Sequence, residues 1–316
     1  MDTSYNPTSR AVAYALAYPS EARKKPDREQ DGLIGPVRAV VLESLRAWKF
    51  AWLFPGKKKV QLCSTFYNAE GNKSKVIKRD HNNPKRRWVE IYCYDTTGRK
   101  AKETIDEGST ITTRSFCYLD EENKIEILEQ VIDRKHIVTR KYISTFDSQG
   151  NQVEASYSEG TTYPELKAFF RYEYNDTGLV NTIKTYDSAG FLYHRTVYSY
   201  DPGGRIKMKA AYRHDGILYD RRIFAYASHE RTEERLIYKE DTSLDHRIVY
   251  HYDDRDNPID IAAYDATSTL MGRTSYTFQF DGFGNWTEKI AQCWDEKTGK
   301  PTAKWVEYRI LSYGSL

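Results

Sequence analysis

A short phrase returns at near-constant spacing along this chain, and its period limits the fold more than any other feature. It reads Tyr-Asn-Asp-Thr-Gly at 174–178, Tyr-Asp-Ser-Ala-Gly at 186–190 and Tyr-Asp-Pro-Gly-Gly at 200–204. Further copies begin at Tyr212, Tyr226, Tyr238, Tyr252, Tyr264, Phe280 and Trp294. The leading rings therefore fall 12, 14, 12, 14, 12, 14, 12, 16 and 14 residues apart. Self-similarity with a two-beat unit of about 26 residues marks a repeat architecture.

Each copy joins an aromatic to Asp or Asn, two variable residues and usually Gly. The Asx side chain accepts a hydrogen bond from the backbone two residues on, and the glycine supplies the positive φ that ends a type I turn with a bulge. Between copies run stretches rich in Tyr, Val, Ile and Thr, which read as strands. Strands joined by turns this tight are antiparallel. Tyr172/Tyr174, Tyr198/Tyr200, Phe224/Tyr226, Tyr250/Tyr252 and Phe278/Phe280 are pairs at i and i+2. Each pair shares one face of its strand, which predicts a structural aromatic ladder on alternate strands. A stacking platform for carbohydrate or bases is the functional alternative for the same rings.

The phrase resembles the YD repeat of RHS and teneurin-like proteins. Tyr-Asp-Thr-Thr-Gly-Arg at 94–99, Phe-Asp-Ser-Gln-Gly-Asn at 146–151, Tyr-Asp-Pro-Gly-Gly-Arg at 200–205 and Phe-Asp-Gly-Phe-Gly-Asn at 280–285 carry the likeness. Copies span residues 67–299. The resemblance implies hairpin arrays that coil into a shell or curled sheet, in an exported or cell-envelope setting, with a protein or envelope glycan as partner. A C-terminal toxin domain and the paired Asp-Pro motifs of a self-cleaving segment are missing, so the chain resembles a short stand-alone member.

Three segments are expected: a polar N-terminal segment over 1–32, strands leading into and capping the array over 33–58, and the array itself over 59–316. Residues 11–18 form an apolar patch behind Arg10. It reads as a short helix capped by Thr8 or Ser9, or as the centre of a degenerate signal peptide, with disorder expected over 21–30. Trp48, Phe50, Trp52 and Phe54 alternate on one strand face. No apolar run reaches the length of a membrane-spanning helix. A last strand over 305–313 is expected to be a lone edge open to pairing with another chain.

Charge is uneven. Residues 46–88 hold twelve Lys and Arg against Glu70 and Asp80, a balance of +10 within a chain of net +3. With Trp48, Trp52 and Trp88 interleaved, this block is a candidate polyanion-binding face. Its named candidates are Arg46, Lys57, Lys58, Lys59, Lys78, Arg79, Lys85, Arg86, Arg87 and Trp88. A solvated surface that balances the acidic remainder is the structural reading.

No nucleophile elbow, zinc-binding helix, P-loop or dinucleotide glycine cluster is present, and no cofactor or metal ligand set is expected. His214 and His229 fall in turns at opposite ends of the strands, about 26 Å apart. Cys93 and Cys117 share a face two strands apart, about 9.6 Å, beyond disulfide reach. They are expected to be buried free thiols. Asp253, Asp254, Asp256 and Asp260 lack the glycine and terminal glutamate of a calcium loop, and Asp253–Asp256 occupies a phrase turn.

The expected fold is an all-β array of antiparallel hairpins, a curled open sheet or partial shell or barrel, after an irregular N-terminal segment. The expected function is a non-enzymatic scaffold or binding module with a tyrosine-rich face. Polyanion binding through 46–88 is the alternative, and an enzyme with a site inside the curl the third reading.

Overall fold

The computed structural model describes residues 26–47, 59–80, 83, 86–119, 123–133, 136–161, 165–226, 231–238, 241, 243–295 and 298–314. The patch at 11–18, the tryptophans and phenylalanines of 48–54 and His229 lie outside these residues. A helical turn, α1 (Asp27–Gln30), precedes β1 (Val37–Ala47), β2 (Val60–Tyr67), β3 (Lys73–Arg79) and β4 (Arg87–Tyr94). There follow β5 (Lys100–Asp106), β6 (Thr110–Leu119), β7 (Lys124–Asp133), β8 (His136–Phe146), β9 (Gln152–Gly160), β10 (Glu165–Tyr174), β11 (Val180–Asp187) and β12 (Leu192–Tyr200). The remainder are β13 (Ile206–Arg213), β14 (Leu218–Tyr226), β15 (Arg231–Tyr238), β16 (Leu244–Tyr252), β17 (Pro258–Asp265), β18 (Leu270–Phe280), β19 (Trp286–Trp294) and β20 (Pro301–Tyr313). The chain is all-β and built of antiparallel hairpins.

It divides into two compact units, one over Arg87–Val197 and one formed by Asp27–Arg86 with Tyr198–Leu316. In unit one, β4 to β11 pair in sequence order, each antiparallel to the next, and β11 pairs with β12. In unit two the strand order is β3, β2, β1, β20, then β19 back to β13. Strand β1 thus pairs with β2 on one side and with β20, the last described strand, on the other. The expectation of a free edge at 305–313 is corrected here: β20 is paired on one side by β1 and on the other by β19.

The turns form as the phrase predicts. At 95–99 the Asp95 Oδ1 accepts hydrogen bonds from the N–H groups of Thr97 and Arg99, both at 2.9 Å, while Gly98 sits at φ 84°. The same pattern recurs at Asp147, Asn175, Asp187, Asp201, Asp253, Asp265 and Asp281. The ladder register slips just before the leading ring in copy after copy, as between Glu173 and Tyr174 or His251 and Tyr252. That slip is the bulge that lets a four-residue turn feed two paired strands. Where glycine is missing, Asp256 and Ser268 take the left-handed conformation themselves, at φ 61° and 68°. Residues 158–160 belong to β9, where Tyr157 and Glu159 stay in register with Tyr142 and Arg140.

These turn carboxyls are acidic for a reason. The Thr97 hydroxyl, aided by backbone N–H groups, lowers Asp95 to about 2. The N–H of Asn151 lowers Asp147, that of Arg205 lowers Asp201, and the Thr267 hydroxyl lowers Asp265. A carboxyl lowered in the folded state holds fewer protons there than when unfolded. Its stabilisation is therefore complete above the ordinary value of 3.8 and is lost as pH falls toward about 2. Thermal melts should show a steady midpoint above about pH 5 and a falling one below the ordinary aspartate value, with Asp95→Asn weakening that fall. A midpoint flat down to about pH 2 would contradict it.

Residues 26–30 are ordered where disorder is expected, and 21–25 lie outside the described residues. Helix α1 and Asp31 dock on the first phrase turn: Arg28 N–H bonds to Gly71 O at 2.9 Å, and Asp27 Oδ2 accepts from Lys73 N–H at 2.9 Å. Asp31 takes the Tyr67 hydroxyl at 2.5 Å and the Lys73 ammonium at 2.9 Å. Leu33, Val37 and Tyr67 then form a buried cluster with Val40, Leu311 and Tyr313. So many local partners and a buried apolar seat outweigh the polar composition of 27–31, which is why the expectation fails there.

The last full phrase clamps the same stretch. The Asn285 side chain, only 1% exposed, accepts from Ile34 N–H at 2.7 Å and donates to Ile34 O at 2.8 Å and to the Tyr313 hydroxyl at 2.9 Å. The Tyr313 hydroxyl in turn donates to Asp281. Phe283 stacks on Tyr313 at 4.6 Å and lies over Gly35, whose φ is 80°. A Cβ at residue 35 would come within 2.9 Å of the Phe283 ring, so only glycine fits there.

Candidate functional site

Unit one has one buried and one open face. Ile127, Tyr142, Tyr157 and Ala168 lie opposite one another across β7 to β10 and are buried, with Phe170, Tyr172 and Ile183 beside them. Tyr172 is buried, and the Tyr174 hydroxyl donates to Gln152 O at 2.7 Å. The rings that lead the other beat go to the opposite face. There Tyr186 stacks on Phe169 at 4.7 Å under the Arg171 guanidinium. In unit two, Arg221 covers Tyr238 and Arg247 covers Tyr264 in the same way.

A row of alternating charge crosses the buried face of unit one, and sequence reasoning missed it. Glu103, Arg114, Glu129, Arg140 and Glu159 are direct cross-strand partners on β5 to β9. The contacts run Glu103 to Arg114 at 3.0 Å, Arg114 to Glu129 at 2.6 Å, Glu129 to Arg140 at 2.8 Å and Arg140 to Glu159 at 2.6 Å. Glu129 is fully buried. Burial alone would raise its carboxyl, but Arg114 and Arg140 on either side hold it below the usual range. The Tyr157 hydroxyl donates to Glu159, and burial followed by that bond pushes the phenol well above its ordinary value. These ionisable groups are spent on one another, which makes the row structural.

The aromatic face of unit two is more open. Tyr250 and Tyr252 stack at 6.4 Å on β16, Phe278 and Phe280 lie 6.2 Å apart on β18, and Trp286 meets Phe278 edge-on at 6.3 Å. Register places Tyr250 opposite Ile261 and Ile261 opposite Thr274, so the β16 and β18 rings share a face across β17. Arg255 covers Phe280 at 4.4 Å, Arg309 covers Trp286 at 3.8 Å and the Lys289 ammonium lies 5.5 Å from Tyr276. Burial raises the Tyr276 phenol, and burial lowers the Arg309 guanidinium. Tyr198 and Tyr200 are half-buried in this unit and burial raises both phenols. Phe224 is half-buried too, and the Tyr226 side chain lies outside the description.

The basic candidates whose side chains are described lie just before β2, on β3, just before β4 and on β4. Lys57, Lys58 and Lys85 lie outside the described residues, as does the side chain of Arg46. The Lys59 ammonium sits 3.5 Å over Tyr308 and 3.8 Å from Glu43. Lys78 pairs in register with Cys63, while Arg79, one residue on, projects to the other face of β3. Arg86 and Arg87 are exposed, and Trp88 is half-buried on β4.

The thiol expectation is corrected: Cys93 and Cys117 are free but exposed, with Cys63 and Cys293 half-buried. The reason is parity. Tyr94 and Tyr118 turn toward the covered face, so the residue before each must turn outward. Asp253 is consumed by its turn, accepting from Arg255 and Asn257. Among the described residues no group of three or more His, Cys, Asp or Glu could hold a metal ion, and no helix is long and apolar enough to cross a membrane.

No protein-family model matches the chain, and no curated protein matches it. Among solved structures it is similar to a porin-like protein from Bacteroides uniformis, at 11% identity and TM-score 0.39 over 88% of this chain and 98% of that one. It is also similar to a porin-like protein from Bacteroides vulgatus, at 10% identity and TM-score 0.27 over 89% and 99%. A third is TcdB2-TccC3 without its hypervariable C-terminal region, at 12% identity and TM-score 0.29 over 87% of this chain and 17% of that one.

Proposed function

We propose that this chain is a non-enzymatic binding module of the YD-repeat kind, which offers the aromatic face of unit two to a glycan. The reading rests on the half-buried rings of Tyr250, Tyr252, Phe278 and Trp286 and the exposed ring of Phe280 on one sheet face. Sugar C–H faces stack on such rings, and neighbouring Arg and Lys heads supply donors to hydroxyls. Screening the full chain against a glycan array, then titrating the best binder, tests it. Tyr252→Ala and Phe278→Ala, checked for folding by circular dichroism, should each weaken binding about tenfold, about 1.4 kcal/mol. No glycan bound, or affinity untouched by either change, would defeat the reading, and a protein partner would then take its place.

Polyanion binding through 46–88 rests on the exposed Arg86 and Arg87. Its signature would be affinity for DNA or heparin that collapses between about 50 and 200 mM salt.

A further inference from the structure

Unit two contains a second charged row, built the opposite way from the first. Lys209 faces Arg222 across β13 and β14, and Arg222 faces Arg235 across β14 and β15. All three are direct cross-strand partners on the face that also carries Tyr198 and Phe224. Like charges set directly opposite one another destabilise a sheet, and here three stand in line on a half-buried surface.

The acids nearby do not answer them. Asp220 lies 3.6 Å from Arg222 Nε and 3.7 Å from Arg235 Nε, within ion-pair reach but beyond a hydrogen bond. Both Nε–H groups and Asp220 Oδ1 are shielded from solvent and have no hydrogen-bond partner. Glu233, the other carboxylate on this face of β15, accepts from the Tyr252 hydroxyl at 3.1 Å. The Lys209 ammonium rests 5.5 Å from the Tyr198 ring. Burial first, and Arg222 second, push it below the ordinary lysine range. Two guanidinium groups and an ammonium thus lie in line on one face with a single carboxylate, Asp220, as ion-pair partner to both guanidiniums and with neither Nε–H hydrogen-bonded. In unit one, the same position in the pattern alternates sign and every charge has its partner.

We propose that Lys209, Arg222 and Arg235 form a binding site for a dianionic oxyanion, a phosphate or sulfate group, free or carried as an ester on a larger ligand. A tetrahedral oxyanion supplies several acceptors at once, so it can bridge two guanidinium groups and an ammonium that a single carboxylate leaves unsatisfied. The anion also neutralises the like-charge row, which couples its binding to the stability of β13 to β15. This deepens the binding reading above by naming the charged group of its ligand, yet the row is testable with no sugar present.

The experiment is a calorimetric titration of the full chain with inorganic phosphate and, separately, glucose 6-phosphate, at constant ionic strength set with sodium chloride. Thermal melts run in parallel. Saturable binding is expected, with a melting midpoint that rises with anion concentration. Arg222→Gln and Arg235→Gln should each weaken binding at least tenfold, while Arg247→Gln on the opposite face should leave it unchanged. Without anion, Arg222→Gln should melt no lower than the parent, since it relieves repulsion. Binding of glucose 6-phosphate alone would support the site and show that it takes the esterified group. No response to either probe would overturn the proposal. So would a response equally strong in Arg222→Gln, which would place the anion elsewhere. Neutral glycans titrated against the same variants probe the rings alone, so failure of one reading is distinguishable from failure of the other.

Discussion

Replacing Glu129 by glutamine is expected to cost about 3–5 kcal/mol. The side chain keeps its shape, so no cavity opens, and the loss is electrostatic. Arg114 and Arg140 would remain buried at 7% and 8% exposure with their shared counter-charge gone. Each would keep one carboxylate, Glu103 or Glu159, so the row would break in its middle rather than dissolve. Denaturant unfolding, together with hydrogen exchange in β6, β7 and β8, measures the effect where it arises. Adding Arg114→Gln should cost less than the sum of the two single changes, because the pair is coupled. A loss under about 1 kcal/mol would mean that the row behaves as an exposed surface ion pair does.

The second large effect is expected at Asn285. Its amide pairs both backbone groups of Ile34 and bonds the Tyr313 hydroxyl. Asn285→Ala would leave buried N–H and C=O groups without partners, at about 1–3 kcal/mol each. The damage should concentrate on 27–36, which a protease pulse would reveal as new cleavage there before the rest of unit two opens. Asn285→Asp is a sharper probe. It keeps the acceptor for Ile34 N–H but loses the donor to Ile34 O and sets a charge beside Asp281. Unchanged protease resistance in both variants would show that the clamp does not hold this segment.

What the sequence discloses is what lies within one hairpin. The Asx acceptor, the glycine at positive φ, the bulge before each ring and the i, i+2 ring pairs are all local, so a single copy contains the reasons for them. Cross-strand charge is different. Glu103, Arg114, Glu129, Arg140 and Glu159 are separated by 11, 15, 11 and 19 residues, and no period announces them. The equal steps of 13 from Lys209 to Arg222 to Arg235 were legible, as was the step of 26 from Arg221 to Arg247 to Arg273. The exposure of Cys93 follows from parity once the face of Tyr94 is known, but parity alone does not say which face is covered. The docking of α1 joins residues 46 apart and the clamp at Asn285 residues 251 apart in the chain, and composition gives no sign of such meetings. Of the candidate site, the aromatic face was readable and the anion row was not recognised.

Strand β1 has a consequence for how this chain is made. An array whose members touch only their neighbours can fold progressively as it leaves the ribosome. Here β1 and β2 emerge before the rest of the array, and the partner for the far side of β1 is β20, translated after all the strands between them. Until then the nascent protein carries an unsealed strand, with a ring-closure entropy to meet that grows with the intervening length. Such high contact order slows folding. A ribosome stalled short of β20 would release a product with a sticky margin, prone to self-association and a natural client for chaperones.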